Sequence, residues 1–224
     1  TDQYLDAPPV ETSIAVSGSP SLQLEDALRF LVGYPYGCIE QTLSRCLPVY
    51  LLRQDAALIR RALSEQEKLE YYLQAGIDRL FSMQNSTGGL GYWPGSSDTY
   101  DYGSVYACHF LTLVGDDPAL DVPEESFAAL KKHVRAIAMS TNRSQDSDYL
   151  RAYACYVLAL GGDLEAIQLI ERFDNITLPR PARYLLAAAL ALQTGDKARV
   201  EEYLAARPMV DYYLRETAGD LHSE

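Results

Sequence analysis

No stretch of this chain approaches the roughly 20 consecutive apolar residues that a membrane-spanning helix needs, so no transmembrane segment is expected in it. Basic residues are scarce, with 19 Lys and Arg against 31 Asp and Glu and a formal charge of -12. That balance argues against nucleic acid or an anionic membrane surface as a partner. There are three scattered histidines, and the four cysteines (Cys38, Cys46, Cys108 and Cys155) make no C-x-x-C pair. Neither a metal site nor a bound cofactor is therefore expected. Cys108 and Cys155 fall on apolar helical faces and are read as buried free thiols in preference to a disulfide. An initiator Met and a leader are missing as well. The chain begins Thr1-Asp2 and is expected to be a piece of a larger protein.

What is present is a long amphipathic pattern. With 224 residues, 48% of them apolar, the chain can bury a substantial core. Residues 1–20 are set apart: Val10, Ile14 and Val16 alternate with polar or small residues, and Pro8-Pro9 and Ser17-Gly18-Ser19-Pro20 bracket them. They are predicted to be an extended linker or strand belonging to a neighbouring β domain. From residue 21 to residue 224 the period is helical. Leu24, Ala27, Leu28 and Leu31 form one face, and Leu43, Cys46, Leu47, Tyr50 and Leu51 the next. Ser64-Glu65-Gln66-Glu67 is a capping box before Leu69, Leu73, Ile77, Leu80 and Phe81. Further faces follow through Val105–Leu113, Phe127–Ile137 and Leu150–Leu158, with shorter helices at 163–173, 181–194 and 196–206. Asp163 and Asp196 are expected N-caps, and Gly195 an expected C-terminal stop. Tyr149–Ala154 weakly repeats as Arg183–Ala188. About nine helices with short connections predict an all-α array of antiparallel hairpins.

Two segments stand out from this array. Residues 34–41 read Tyr-Pro-Tyr-Gly-Cys-Ile-Glu-Gln, which sets a thiol, Cys38, three residues before a carboxamide, Gln41. In a tight turn the sulfur could reach the amide carbon, expel ammonia and leave an internal thioester. Gly37 would supply backbone freedom, and the start of a helix at Gln41 would favour a departing thiolate. Pro48 should disturb that helix, because it cannot donate to the Ser44 carbonyl. The second segment is the loop Asn85–Tyr100, with three glycines in four residues followed by Tyr92 and Trp93. It either carries aromatic surface to one end of the array or lets Trp93 plug a gap between helices. Taken alone, Cys38 is better read as a buried thiol and residues 34–37 as an inter-helix turn.

The surrounding residues alter that reading. The run Gly33-Tyr34-Pro35-Tyr36-Gly37-Cys38-Ile39-Glu40-Gln41-Thr42, with Ser44-Arg45 and Pro48, resembles the thioester motif of the alpha-2-macroglobulin family, most nearly its bacterial members. Gly88-Gly89-Leu90-Gly91-Tyr92-Trp93-Pro94-Gly95 resembles a second loop of that family. The resemblance covers about residues 20–220. It implies a thioester-bearing α/α toroid of helix pairs, here incomplete, in a complement-like defence protein or a broad-spectrum protease inhibitor. Cys38 and Gln41 would form the thioester, with Gly37, Glu40, Tyr34 and Tyr36 as supporting motif residues and Tyr92 and Trp93 as shields against water. After a protease cuts a bait region elsewhere in the parent chain, a lysine amine of that protease would attack Gln41 and become covalently bound. Such transfer is stoichiometric, so the chain is not expected to be an enzyme. A periplasmic or cell-envelope location and contacts with other domains of the parent chain are implied in the same way.

The pattern departs from some complement relatives in one respect. Where they carry a histidine that promotes transfer to hydroxyls, residues 140–150 here offer Asn142, Gln145, Asp146 and Asp148. Direct attack by amines, with little esterification of glycerol, is therefore expected. His133 is read as solvated and His109 as part of the core. Two other functions stay open: a binding scaffold whose thioester never forms, and an α/α-toroid enzyme using Asp146 and Asp148 as an acid/base pair. The Asn-x-Ser/Thr sequons at Asn85, Asn142 and Asn175 are incidental if the bacterial resemblance holds.

Overall fold

The computed structural model describes residues 37–55, 59, 68–141, 144–174, 176–206 and 209–210. The extended segment expected at 1–20, the face from Leu24 to Leu31, Tyr34, Tyr36, the 64–67 capping box, Asn142 and Asn175 lie outside them. Eight helices occur among the described residues: α1 (Ile39–Leu51), α2 (Lys68–Phe81), α3 (Asp101–Val114), α4 (Glu124–Met139), α5 (Gln145–Leu160), α6 (Ala166–Glu171), α7 (Arg180–Thr194) and α8 (Lys197–Ala206).

The packing order follows from the apolar faces. α1 packs on α3, α3 on α5 and α5 on α7, so alternate helices make one continuous row. α2 covers α1, α4 lies across α3 and α5, α6 lies across α5 and α7, and α8 covers α7. An inner row backed by an outer row is the arrangement that successive helix hairpins produce when each buries its stripe against the next. The fold is all-α, as the sequence predicts. The similar segments at 149–154 and 183–188 fall on α5 and α7, neighbours in the inner row. Inner helices are buried on several sides, which explains the small residues Ala152, Ala154, Ala159, Ala182, Ala187 and Ala189 in them. Leu43, Ile77, Leu80, Phe110, Leu111, Leu130 and Phe173 are essentially inaccessible. Each such side chain contributes about 1.5–3 kcal/mol through its burial.

Local stops match the residues that dictate them. Gly195 closes α7 in the left-handed region, at φ 64°. Asp196, just before α8, takes the Arg199 amide at 3.1 Å; Asp163, expected to be an N-cap, instead takes the Glu165 amide at 3.0 Å in the turn ahead of α6, whose N-cap is Glu165. Pro48 lies within α1. Another expectation needs correction. Leu51, placed on the buried face of α1, is 56% exposed, because Ile39, Leu43, Cys46 and Tyr50 set that face and Leu51 is rotated off it. A short parallel pairing of β1 (Leu178–Pro179) with β2 (Met209–Val210) was not legible from the sequence, since two residues are too few to show a period.

Two arginines are buried with partners. Arg183 donates to the Tyr203 hydroxyl at 2.8 Å and to the Ile176 carbonyl at 2.6 Å, tying α7 to α8 and to the turn before β1. Arg151 pairs with Asp148 one turn earlier at 3.0 Å, and its guanidinium lies over Phe173. His109 sits among the aromatic rings of α3 and α5, with Nδ1 2.9 Å from the Tyr153 hydroxyl and its ring edge-on to Tyr153 and Tyr156. Burial lowers its pKa below the ordinary 6.5. The unfolded chain therefore binds that proton more readily, and stability falls as pH drops below about 6.5. Melting temperatures compared at neutral and mildly acidic pH should show this loss, and His109→Gln should reduce the pH-dependent difference.

Candidate functional site

The site begins where α1 begins. Cys38 is the N-cap, extended at φ -67° and ψ 168°, and only 2% exposed. Its side chain faces the backbone N–H of Gln41, and Gln41 folds back so that Oε1 accepts from the Cys38 N–H at 3.2 Å. This reciprocal arrangement is a capping box with sulfur in place of the usual hydroxyl. It brings the thiol and the carboxamide of the sequence-predicted pair together on one helical turn. It also aims a backbone N–H at the carboxamide oxygen, next to the positive end of α1.

Three distant segments hold this turn. Arg79, near the end of α2, donates from both Nε and Nη2 to the Gly37 carbonyl, each at 3.1 Å. A Cβ on Gly37 would lie 3.3 Å from Arg79 Nε, so this glycine leaves room for the guanidinium. The Tyr92 carbonyl accepts from the Ile39 N–H at 3.2 Å, occupying a donor that a helix start leaves unpaired. Gly103, in the first turn of α3, is packed so closely that a Cβ would meet Ile39 Cδ1 at 2.8 Å and the Tyr100 ring at 2.6 Å.

The aromatic loop is anchored throughout. Leu90 is fully buried, its N–H donates to Ser104 Oγ at 2.9 Å, and its carbonyl accepts from the Tyr100 N–H at 2.8 Å. Asn85 Nδ2 donates to Thr99 Oγ1 at 2.8 Å, while Thr87 donates to Asn85 Oδ1 through both N–H and Oγ1. Gly88 lies at φ +83°, with the backbone of Ala129 in α4 against it. The loop thereby presents Tyr92 and Trp93 to the surface at 39% and 45% exposure. Of the two readings left open for Trp93, the surface one holds and the gap-filling one does not.

A polar contact joins the loop to the start of α1. The Tyr92 hydroxyl lies beside Cys38 and Glu40. Tyr100 donates to Glu40 Oε1 at 2.5 Å. Cys38 first, then the charge of Glu40, raises the Tyr92 hydroxyl above the usual phenol range. Burial and then the Glu40 carboxylate do the same for Tyr100. Both hydroxyls stay protonated and remain donors. The rings of Tyr92, Trp93, Tyr100 and Tyr102 continue outward from the cysteine, with centroids 5.3–6.2 Å apart.

The other cysteines are of a different kind. Cys46, Cys108 and Cys155 are buried free thiols, and burial pushes each up to about 12. Cys46 packs against Gly76, where a Cβ would meet its sulfur at 2.3 Å. Asp148, offered as half of a carboxylate pair with Asp146, is instead buried and bound to Arg151, while Asp146 is exposed. The enzyme reading loses its acid/base pair. His133, expected to be solvated, has a largely covered side chain with Nε2 3.0 Å from Asp101. Among the described residues no group of three or more His, Cys, Asp and Glu gathers as a metal site, and no helix is long and apolar enough to cross a membrane. Arg79, Tyr100 and Gly103 were missed by sequence reasoning. They lie 42 to 64 positions from the residues they contact there.

No family model matches the chain. It is 36% identical over 117 residues to the alpha-2-macroglobulin of Thermotoga maritima, a match covering 50% of this chain and 7% of that protein. Against the alpha-2-macroglobulin of Rickettsia conorii it is 34% identical over 115 residues, 51% of this chain and 6% of that protein. The chain thus spans less than a tenth of the length of these relatives. Native Escherichia coli alpha-2-macroglobulin, solved from domain MG7 to the C-terminus, superposes with a TM-score of 0.69 and 27% identity over 84% of this chain and 31% of that one. Salmonella alpha-2-macroglobulin reacted with methylamine superposes with a TM-score of 0.68 and 28% identity, over 84% of this chain and 13% of that one. In sequence over about half its length and in fold over most of it, the chain is similar to bacterial alpha-2-macroglobulins and matches one segment of those much longer proteins.

Proposed function

We propose that Cys38 and Gln41 form an internal thioester that acylates amines, and that the protein containing this chain is a protease inhibitor acting through it. The observation that carries this reading is the reciprocal contact at the start of α1. It places the sulfur and the carboxamide on one turn and sets an N–H 3.2 Å from the oxygen where charge develops. Closing the ring forms a bond between Cys38 Sγ and Gln41 Cδ and releases ammonia. An attacking amine then bonds to Cδ, the Cδ–Sγ bond breaks with its electron pair going to sulfur, and the amine's proton is transferred to the thiolate. The product is an amide at Gln41 and a free Cys38 thiol. The hydroxyl of Tyr92, beside Cys38, would donate to the departing sulfur. Tyr92, Trp93 and Tyr100 lie on the solvent side, where they limit access of water.

The relatives support the wider role. The Salmonella protein has been solved after reaction with methylamine, and the Escherichia coli protein in a trypsin-activated form. By extension, a protease that cleaves the parent chain elsewhere would expose the thioester and be trapped through a lysine. A periplasmic or envelope location goes with the same reading. His109 and His133 are held by Tyr153 and Asp101, which favours direct attack by amines over transfer to hydroxyls. To test this, the intact protein is treated with trypsin and the adduct digested and sequenced by mass spectrometry. An isopeptide between Gln41 and a trypsin lysine is expected. Inhibition without any Gln41 crosslink would support a non-covalent scaffold instead.

A further inference from the structure

The Gly37 carbonyl and the Cys38 N–H belong to a single peptide group. Arg79 grips one end of it with two bonds of 3.1 Å, and the other end donates to Gln41 Oε1 at 3.2 Å. In a planar trans peptide these two bonds point in opposite directions, so holding the oxygen fixes the aim of the N–H. No cis peptide occurs among the described residues. A cation on the carbonyl oxygen also draws electron density away from the nitrogen and makes its N–H a stronger donor, as hydrogen bonds in series polarise one another. Two coplanar donors from one guanidinium define the direction of that grip, which a single ammonium cannot do.

We infer that Arg79 is a positioning residue for acyl transfer: through the 37–38 peptide it aligns and strengthens the N–H that stabilises the oxyanion at Gln41. This rests on the thioester reading above. When an amine attacks, the Cδ=O π pair moves onto Oε1. The Cys38 N–H then faces a full negative charge in place of a carbonyl, and its bond strengthens in the transition state. Ring closure by Cys38 Sγ passes through the same tetrahedral oxyanion, so Arg79 assists formation of the thioester as well as its reaction. The arrangement explains why α2 ends with an arginine pointed at a loop carbonyl. It also explains the need for glycine at residue 37, since a side chain there would press on the guanidinium.

The test compares the intact protein with its Arg79→Lys and Arg79→Gln variants. Loss of ammonia from the mass of the unsubstituted protein, and release of one thiol by methylamine, first establish that the thioester exists. If they are absent, the reading of the site fails rather than the role of Arg79. Given a thioester, the second-order rate constant for methylamine is expected to fall about tenfold or more in Arg79→Gln, with Arg79→Lys intermediate. The carbonyl stretch of the thioester, isolated by ¹³C labelling of glutamine, is expected to move to higher frequency in both variants, a signature that looser packing alone would not give. If Arg79→Gln melts cooperatively yet never closes the ring, the inference is supported through the formation step. If it does not fold, Arg79→Lys decides by the same rate and frequency. Wild-type rate and unchanged carbonyl frequency in a folded variant would overturn the inference.

Discussion

Cys38→Ala abolishes the incorporation of methylamine at Gln41 while leaving the helical array folded. The effect is expected to be complete, because an unactivated carboxamide does not react with dilute amines on the timescale of such an experiment. All of the activation comes from exchanging nitrogen for sulfur as the leaving group. Cys46 cannot substitute. It lies two turns into α1, packed against Gly76, with its thiol held up near 12 by burial. The structural cost should be modest, since α1 keeps its cap from the Gln41 side chain and the Tyr92 carbonyl. Far-ultraviolet circular dichroism and a melting curve check the fold, and peptide mapping checks residue 41. Methylamine found on Gln41 in the alanine variant would mean that the amide is activated by something other than Cys38.

Gly88→Ala is expected to destabilise the protein by about 2–4 kcal/mol, combining the left-handed backbone with overpacking against α4. The residue lies at φ +83°, and an added Cβ would sit 2.7 Å from the Ala129 carbonyl oxygen and 3.0 Å from its carbon. Those are backbone atoms of a helix and cannot rotate away. The loop must therefore retreat and carry Tyr92 off the start of α1, so the thioester should hydrolyse faster as well. Gly95→Ala is the matched control. Its φ of +78° imposes a similar backbone cost, but nothing lies within 4 Å of the added methyl. It should cost only about 1–2 kcal/mol. Urea unfolding of the two variants separates the terms. Equal losses would show that the contact with α4 does not position the loop.

The parts of this protein that sequence reveals are those written in short range. The 3.6-residue period marks the helices, Gly195 and Asp196 mark their ends, and Cys38 and Gln41 stand one turn apart. The supports of the site are written at long range. Arg79 looks like any arginine at a helix end, where it complements the dipole. Only the path of α2 beside α1 reveals the carbonyl it holds. Tyr100 follows Thr99 in what reads as a plain loop, and its partner Glu40 is 60 residues away. His133 was misjudged for the same reason. A polar residue on a helix face looks solvated until the chain folds Asp101 against it. The glycines of the loop were legible as a group. Their separate tasks, a left-handed turn at Gly88 and close packing against Thr99 and His133 at Gly89, depend on α4.

The central claim is that Cys38 and Gln41 share a bond that amines break. Intact mass and thiol titration of the freshly prepared intact protein, before and after methylamine, test it most directly. The account predicts a mass lower than that of the sequence by one ammonia, with Cys38 silent to thiol reagents. Methylamine should then add once, at Gln41, and release one titratable thiol in step. Cys46, Cys108 and Cys155, buried and pushed up to about 12, should stay silent until the protein is unfolded. Full sequence mass, with Cys38 titratable from the outset and no methylamine on Gln41, would contradict the account.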